Sequence, residues 1–248
     1  MAKAPGAGRT KTRLSPLLSP QQATELGCCF LRDMTANLAL AARSVPLDPF
    51  LAFAPAGSEP AFADIVEPGT GFVLADGSLP APAGISGLGI CLLQAVSSLL
   101  ARGYGAVALL NADSPNLPTA LLTEAASMLS ARQERVVLGP SSDGGYYLIG
   151  MGRAYADLFR EIDWSSARVA DQTRARAASL ALDLVELAPW YDVDDAASLC
   201  ALITDLQQPS GAAAPYPAAA TRHFIHTGGI AERLHAHLDA RPYSILIS

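Results

Sequence analysis

Four polar clusters interrupt an otherwise apolar, alanine-rich chain, and each holds residues suited to phosphate or metal chemistry. The first is Ala4-Pro5-Gly6-Ala7-Gly8-Arg9-Thr10-Lys11-Thr12-Arg13-Leu14. Its glycines (Gly6, Gly8) bare backbone amides, and Lys3, Arg9, Lys11 and Arg13 bring charge, so the loop can surround a polyphosphate. It is not a P-loop, because Thr10 stands where that motif needs glycine before the lysine, and it also departs from GxGxxG. An ordinary basic turn is the competing reading. The second cluster, Asn111-Ala112-Asp113-Ser114-Pro115, follows the apolar run Gly105–Asn111. At the carboxyl end of a parallel strand, Asn111 and Asp113 offer hard oxygens that suit Mg2+ or Mn2+ bridging phosphates. The alternative is a helix cap at Asp113 or Ser114.

Asp143-Gly144-Gly145 repeats this logic after another apolar run. Gly144 and Gly145 allow a ligand to approach the backbone. Asp143 could be a second metal ligand, or could orient an attacking hydroxyl. The same tripeptide is close to ideal for a tight hairpin turn. In the fourth cluster, Pro189 to Asp195, Asp194 reads as a helix N-cap and Asp192 as a carboxylate facing the cleft. Trp190, with Trp164, either walls a pocket for a small-molecule acceptor or fills core. All four histidines fall at or beyond position 223. If the main body needs a base, Asp143 is therefore the candidate. His223, His226, His235 and His237 match no zinc spacing and read as surface residues.

These clusters need elements to hold them. Ser19-Pro20-Gln21-Gln22 is a capping box with proline at N1, opening a helix to about Arg43. Short apolar runs at 50–55, 72–75, 105–111, 135–139, 146–149 and 184–187 read as strands. Helical patterns cover 88–102, 118–132, 154–160, 168–180 and 194–206. This alternation predicts an α/β fold with a mostly parallel sheet covered on both faces. The chain of 248 residues divides into a domain at 1–206, a Pro/Ala/Ser-rich linker at 207–221 and a tail at 222–248 with one short helix. Half the residues are hydrophobic and the net charge is −6. That balance argues against a nucleic-acid binder or a polybasic membrane anchor. No membrane-spanning run is present, and four cysteines without CxxC spacing suit free thiols in a cytoplasmic protein.

The motifs taken in order resemble a bacterial family of glycosyltransferases and nucleotide-diphospho-sugar transferase-like proteins, some linked to arsenosugar biosynthesis. The resemblance rests on Ala2-Lys3-Ala4-Pro5, Gly8-Arg9, Lys11-Thr12-Arg13-Leu14, Asn111-Ala112-Asp113-Ser114-Pro115 and Leu117-Pro118. It continues through Leu138-Gly139-Pro140, Asp143 to Leu148, Trp164-Ser165 and Trp190 to Asp194. It spans residues 1–206. More distantly, the family is similar to the molybdenum-cofactor and 2-phospholactate guanylyltransferases.

The resemblance implies a GT-A-like, three-layer α/β/α fold with a nucleotide over the sheet's carboxyl edge. It also implies Lys11 and Arg13 at the phosphates, Asp113 on the divalent cation and Asp143 as the second acidic group. Two departures are evident. A hydrophobic strand usual before Ala2-Lys3-Ala4-Pro5 is expected to be missing or nearly so, by a misplaced start or a truncation. A Gly-Asp-Leu-Gly-Glu-Arg stretch is replaced by Ser86-Gly87-Leu88-Gly89-Ile90-Cys91, which bears on the donor base or ribose. The leading expectation is a metal-dependent transferase taking a nucleotide-diphosphate sugar. The alternatives are a nucleotidyltransferase that releases pyrophosphate from a nucleoside triphosphate, and a non-catalytic nucleotide-binding protein.

Overall fold

The computed structural model describes residues 2–3, 5–6, 11–15, 17–207 and 214–239. Within these, seven strands form two sheets. In the first, β1 (Ala2–Lys3), β2 (Phe50–Ala54) and β3 (Gly71–Leu74) run parallel in that order. The second contains β4 (Val107–Leu110), β5 (Arg135–Pro140), β6 (Tyr146–Met151) and β7 (Asp183–Glu186) in the order β4-β6-β5-β7. β7 runs parallel to β5, whereas β6 is antiparallel to both its neighbours. The reversal at β6 follows from its connection to β5. Five residues, 141–145, suffice for a hairpin but not for the crossover that a parallel pair requires. The strand ahead of the basic loop is present as a two-residue pair with β2, Ala2 opposite Phe53 and Lys3 opposite Ala54.

Seven α-helices cover the sheets: α1 (Pro20–Ala41), α2 (Leu88–Ala101), α3 (Thr119–Ala131), α4 (Val169–Ser179), α5 (Ala196–Gln207), α6 (Ala219–Thr227) and α7 (Ile230–Asp239). The Ser19 capping box forms in full, its side chain accepting from Gln22 N while Gln22 reaches back to Ser19 N. Along β5, Val136, Val137 and Leu138 are all fully buried, because both faces of this strand are covered. Val137 joins the cluster built on α3 with Leu121 and Leu129, and Val136 and Leu138 join the one on α2 with Leu93 and Val96. Residue alternation along one strand thus assigns α1 and α3 to one layer, α2 and α4 to the other. Residues 156–159 form a 3-10 turn where a helix over 154–160 is expected.

The C-terminal helices are part of the body. Asp33 of α1 accepts hydrogen bonds from Ala220 N (2.9 Å) and Thr221 N (2.7 Å), capping α6 from across the chain. Ile225, Ile230 and Leu234 pack with Leu26 and Phe30 of α1 and with Leu199 and Leu202 of α5. α6 therefore begins inside the expected linker, and the tail carries two helices, separated at Gly228-Gly229. Residues 208–213 of that linker and 240–248 of the tail lie outside the described residues. No described helix is long and apolar enough to cross a membrane.

Candidate functional site

The site is assembled where β4 and β5 end. Asn111 N donates to Tyr147 O at 2.9 Å, extending the β4–β6 ladder by one residue and fixing Asn111 at the sheet edge. The segment 190–193 runs alongside. Trp190 N donates to Pro140 O (3.1 Å), Ser142 N to Trp190 O (2.9 Å), and Val193 N to Asp113 O (2.8 Å). Three backbone bonds therefore clamp this segment between the β5 end and the loop after β4. That clamp carries Asp192 into the sheet edge. Its Oδ1 accepts from Asn111 Nδ2 (2.6 Å) and Ser141 Oγ (3.0 Å), with Ser114 Oγ 3.3 Å away.

Burial pushes the Asp192 carboxyl up to about 6, opposed by the Ser141 hydrogen bond and reinforced by the charges of Asp143, Asp113 and Asp194. Four carboxylates thus share one electrostatic neighbourhood. Lys11 supplies its positive charge. Its Nζ donates to Val193 O (2.7 Å) and Asp194 Oδ1 (2.9 Å), pairs with Asp113 Oδ1, and lies 5.2 Å from the centroid of the Phe30 ring. The Lys11 side chain is 3% exposed, against 39% for Asp113 and 42% for Asp194. The ammonium is therefore enclosed while both carboxylates keep a face toward solvent. Lys11 itself adopts a left-handed conformation, φ 52°, ahead of the single turn Thr12–Leu14. Leu14, buried to 1% exposure among Leu26, Phe30 and Leu199, anchors that turn.

The other expected residues separate by environment. Arg13 is exposed. The amide and hydroxyl of Ser198 hold the Asp195 carboxyl below the usual range, with a smaller contribution from Arg13. Gly6 is half-buried; Gly8 and Arg9 lie outside the described residues, as does the Lys3 side chain. Asp143 Oδ1 accepts from Gly145 N at 2.9 Å within the hairpin turn, so the turn itself orients the carboxylate. Gly144 has φ +88°, and an added Cβ would sit 2.1 Å from Ala167 O. Its N–H donates to Ser141 O and its carbonyl accepts from Ala170 N, so this glycine serves the docking of α4 against the turn.

Trp190 stacks on Tyr191 (centroids 5.3 Å, 21° between planes), and its Nε1 donates to Asn116 Oδ1 at 3.3 Å. Asn116 also donates to Tyr191 OH, which donates to Asp205 Oδ2 at 2.6 Å. Trp164 packs over the start of α2, where a Cβ on Gly89 would lie 3.1 Å from its ring. Its buried Nε1 has no hydrogen-bond partner among the described residues.

The geometry brings Lys11, Asn111, Asp113, Asp143 and Asp192 to one edge. It adds Ser114, Ser141 and Asp194, which sequence reasoning did not assign to the site. Asp194 was expected to cap α5, but Asp195 does so, accepting from Ser198 N at 2.8 Å. The spacing Asp195-x-x-Ser198 carried that signal; the pairing of Asp194 with Lys11, 183 residues away, carried none. Among the described residues no group of three or more His, Cys, Asp or Glu is arranged to hold a metal ion. Asp113 and Asp143 are hard oxygen donors of the kind that hold Mg2+ or Mn2+ jointly with substrate phosphates, a mode that needs only one or two protein carboxylates.

Comparison with known proteins adds the following. The model of the family described as "Uncharacterized protein conserved in bacteria (DUF2064)" matches residues 35–166, more than half the chain. A crystal structure from Desulfovibrio desulfuricans G20, called a "putative nucleotide-diphospho-sugar transferase", is 26% identical. It superposes with a TM-score of 0.77 over 95% of each chain. Rv0371c from Mycobacterium tuberculosis H37Rv is 20% identical, with a TM-score of 0.42 over 82% of this chain and 94% of that one. Its homolog from mycobacterium sp. strain JC1 is also 20% identical, with a TM-score of 0.43 over 82% and 93%. No match was found among curated proteins. The chain belongs to the DUF2064 family, and its α/β fold is that of the Desulfovibrio desulfuricans G20 structure.

Proposed function

We propose that this DUF2064 member is a metal-dependent transferase that takes a nucleotide-diphosphate sugar and delivers the sugar to a small-molecule acceptor. The observation that carries the reading is the gathering of Asp113, Asp143 and Asp192 around one strand edge, with Lys11 paired to Asp113. In α/β sheets that edge is where nucleotides bind. Arg13, exposed and near enough to Asp195 to help lower its carboxyl, would neutralise a departing diphosphate, the place where charge develops during transfer. Asp113 and Asp143 would hold a divalent cation, which would supply Lewis-acid stabilisation of the leaving group. Lys11 balances Asp113 and Asp194 and fixes the loop that bears Arg13. Where Asp113 holds the cation without it, Asp143 is the carboxylate that would accept the acceptor's proton.

The enclosure of Lys11 favours a diphosphate over a triphosphate ligand, because one of the loop's cations is already committed to protein carboxylates. Calorimetric titration of Asp113→Asn with nucleotide-diphosphate sugars, with and without Mg2+ or Mn2+, tests the assignment. Metal-dependent affinity is expected to fall at least about ten-fold, roughly the value of one charge-assisted contact. Unchanged metal dependence would show that Asp113 is not the ligand. Release of pyrophosphate from a nucleoside triphosphate would replace glycosyl by nucleotidyl transfer. Nucleotide binding indifferent to metal and without turnover would make the chain a non-catalytic binder.

A further inference from the structure

Lys11 has three N–H donors and no acceptor, and its donors meet three protein oxygens. These are Val193 O at 2.7 Å, Asp194 Oδ1 at 2.9 Å and the paired Asp113 Oδ1. The ammonium is therefore saturated before any ligand arrives. The three oxygens do not owe their places to the lysine. Val193 N donates to Asp113 O at 2.8 Å, Asp113 N to Asn111 Oδ1 at 3.4 Å, and Asp194 N to Ser198 Oγ at 3.0 Å. The segments that carry the oxygens are thus tied to one another and to α5 without the loop. What Lys11 adds is charge, held behind them: its side chain is 3% exposed, while Asp113 keeps 39% of its own open to solvent.

A divalent cation on Asp113 must share that carboxylate with the ammonium. Oxygen ligands stand about 2.1 Å from Mg2+ and about 2.8 Å from an ammonium nitrogen, so two cations on one carboxylate lie roughly 4–5 Å apart. At that separation the repulsion between charges of +2 and +1 is about three times thermal energy even at the dielectric constant of bulk water, about 80. It grows as the surroundings become less polar. A bare cation is therefore disfavoured at Asp113 while Lys11 is paired there. A diphosphate alters the balance, because its oxygens bring negative charge to the same place and fill part of the cation's coordination shell.

We propose that Lys11 is an electrostatic latch on Asp113, which excludes a bare divalent cation from that carboxylate and admits one that arrives with a diphosphate. The inference rests on the reading of Asp113 as the metal ligand given above. Lys11 keeps Asp194 and the Val193 carbonyl throughout and gives up only Asp113, which frees one donor for a phosphate oxygen. Metal and nucleotide then bind cooperatively, each raising the affinity for the other by the same factor. Between turnovers Asp113 stays charge-compensated by the protein itself.

The test measures binding of Mn2+ alone, by electron paramagnetic resonance of the free ion, to the full chain and to Lys11→Met, Lys11→Arg, Asp113→Asn and Lys11→Met/Asp113→Asn. Methionine is close to lysine in length and carries no charge. Lys11→Met is expected to bind Mn2+ at least about ten-fold more tightly than the parent, the repulsion being removed. Lys11→Arg keeps the charge and should bind like the parent, and Asp113→Asn should cancel the gain of Lys11→Met. Equal affinity in the parent and Lys11→Met, lost in both with Asp113→Asn, would overturn the latch and leave Asp113 as the metal ligand. A gain that survives Asp113→Asn would also overturn it. Mn2+ binding indifferent to Asp113 in every version would overturn the reading of Asp113, and the latch with it. A second measurement needs no variant. Lys3 and Lys11 are the only lysines in the chain, so isotope labelling of lysine Nζ makes the Lys11 ammonium readable by NMR. Its signal is expected to move when Mg2+ is added together with a nucleoside diphosphate (ADP, CDP, GDP and UDP in turn), and to stay in place with the same Mg2+ alone. An equal shift with Mg2+ alone, or no shift with any pair, would contradict the latch.

Discussion

Asp192 shows most plainly what the site costs the fold. Its carboxyl lies near 6 in the folded protein, against 3.8 for an ordinary aspartate, chiefly because it is buried. The folded state therefore binds a proton where the unfolded state has released it. Stability from this group is greatest below about pH 4, declines as the pH rises from about 4 to about 6, and stays at the lower level above that. The loss is at most about 3 kcal/mol at neutral pH. Asp192→Asn removes the charge and keeps an oxygen for Asn111 and Ser141. Chemical denaturation is expected to find this variant more stable than the parent by about 1–3 kcal/mol at pH 7.5, and equal to it near pH 4. A gain of the same size at both pH values would mean that burial of the charge is not its origin. The sequence pointed to Asn111, Asp113 and Asp192 because each follows an apolar run or a proline-aromatic step. It was silent on Ser141 and Ser114 as supports, and on the partners of Lys11. Those contacts join residues 51 to 183 positions apart, and any exposed aspartate could have served Lys11.

At the scale of elements, the turn 141–145 is the hairpin that Asp143-Gly144-Gly145 favours, and its own amide orients the Asp143 carboxylate. Gly144→Ala meets two obstacles, a φ of +88° and the Ala167 carbonyl 2.1 Å from the new Cβ. The expected cost is about 3 kcal/mol or more, a fall in Tm of about 6–12 °C for a chain of this size. Gly57→Ala is the control: φ is +79° but nothing lies within 4 Å. Its expected cost is only the conformational part, about 1–2 kcal/mol. Equal losses, measured by calorimetry, would remove the argument from close packing of α4 on the turn. Helices with local signals were legible, α1 from its capping box and α2 and α3 from their periodicity. Residues 154–160 read as a helix and fold as a 3-10 turn at 156–159, because two or three apolar residues fit either period. α6 was hidden in a stretch read as linker, since what starts it is Asp33 of α1, not a residue next to it in sequence.

For the whole molecule, the layered order was readable from alternating strand and helix patterns, and so was the clustering of polar residues at strand ends. The reversal of β6 is the hairpin alternative at Asp143-Gly144-Gly145, and the short 141–145 connection decides for it. The packing of α6 and α7 on α1 and α5 could not be read from composition, because an Ala/Pro-rich approach looks alike whether it docks or not. Lys11, which lies between β1 and α1 in the chain, pairs with Asp113 after β4 and with Asp194 ahead of α5. Ligand binding at that junction should therefore stabilise the whole chain, since anything that binds only the folded state raises its melting temperature. The decisive measurement is a thermal-denaturation panel of nucleotide-diphosphate sugars and nucleoside triphosphates, each with and without Mg2+ or Mn2+. The expected result is a metal-dependent rise in Tm of several degrees with one nucleotide-diphosphate sugar, lost in Asp113→Asn. A rise confined to a triphosphate, or no rise with any of them, would contradict the assignment of this edge as a nucleotide-sugar site.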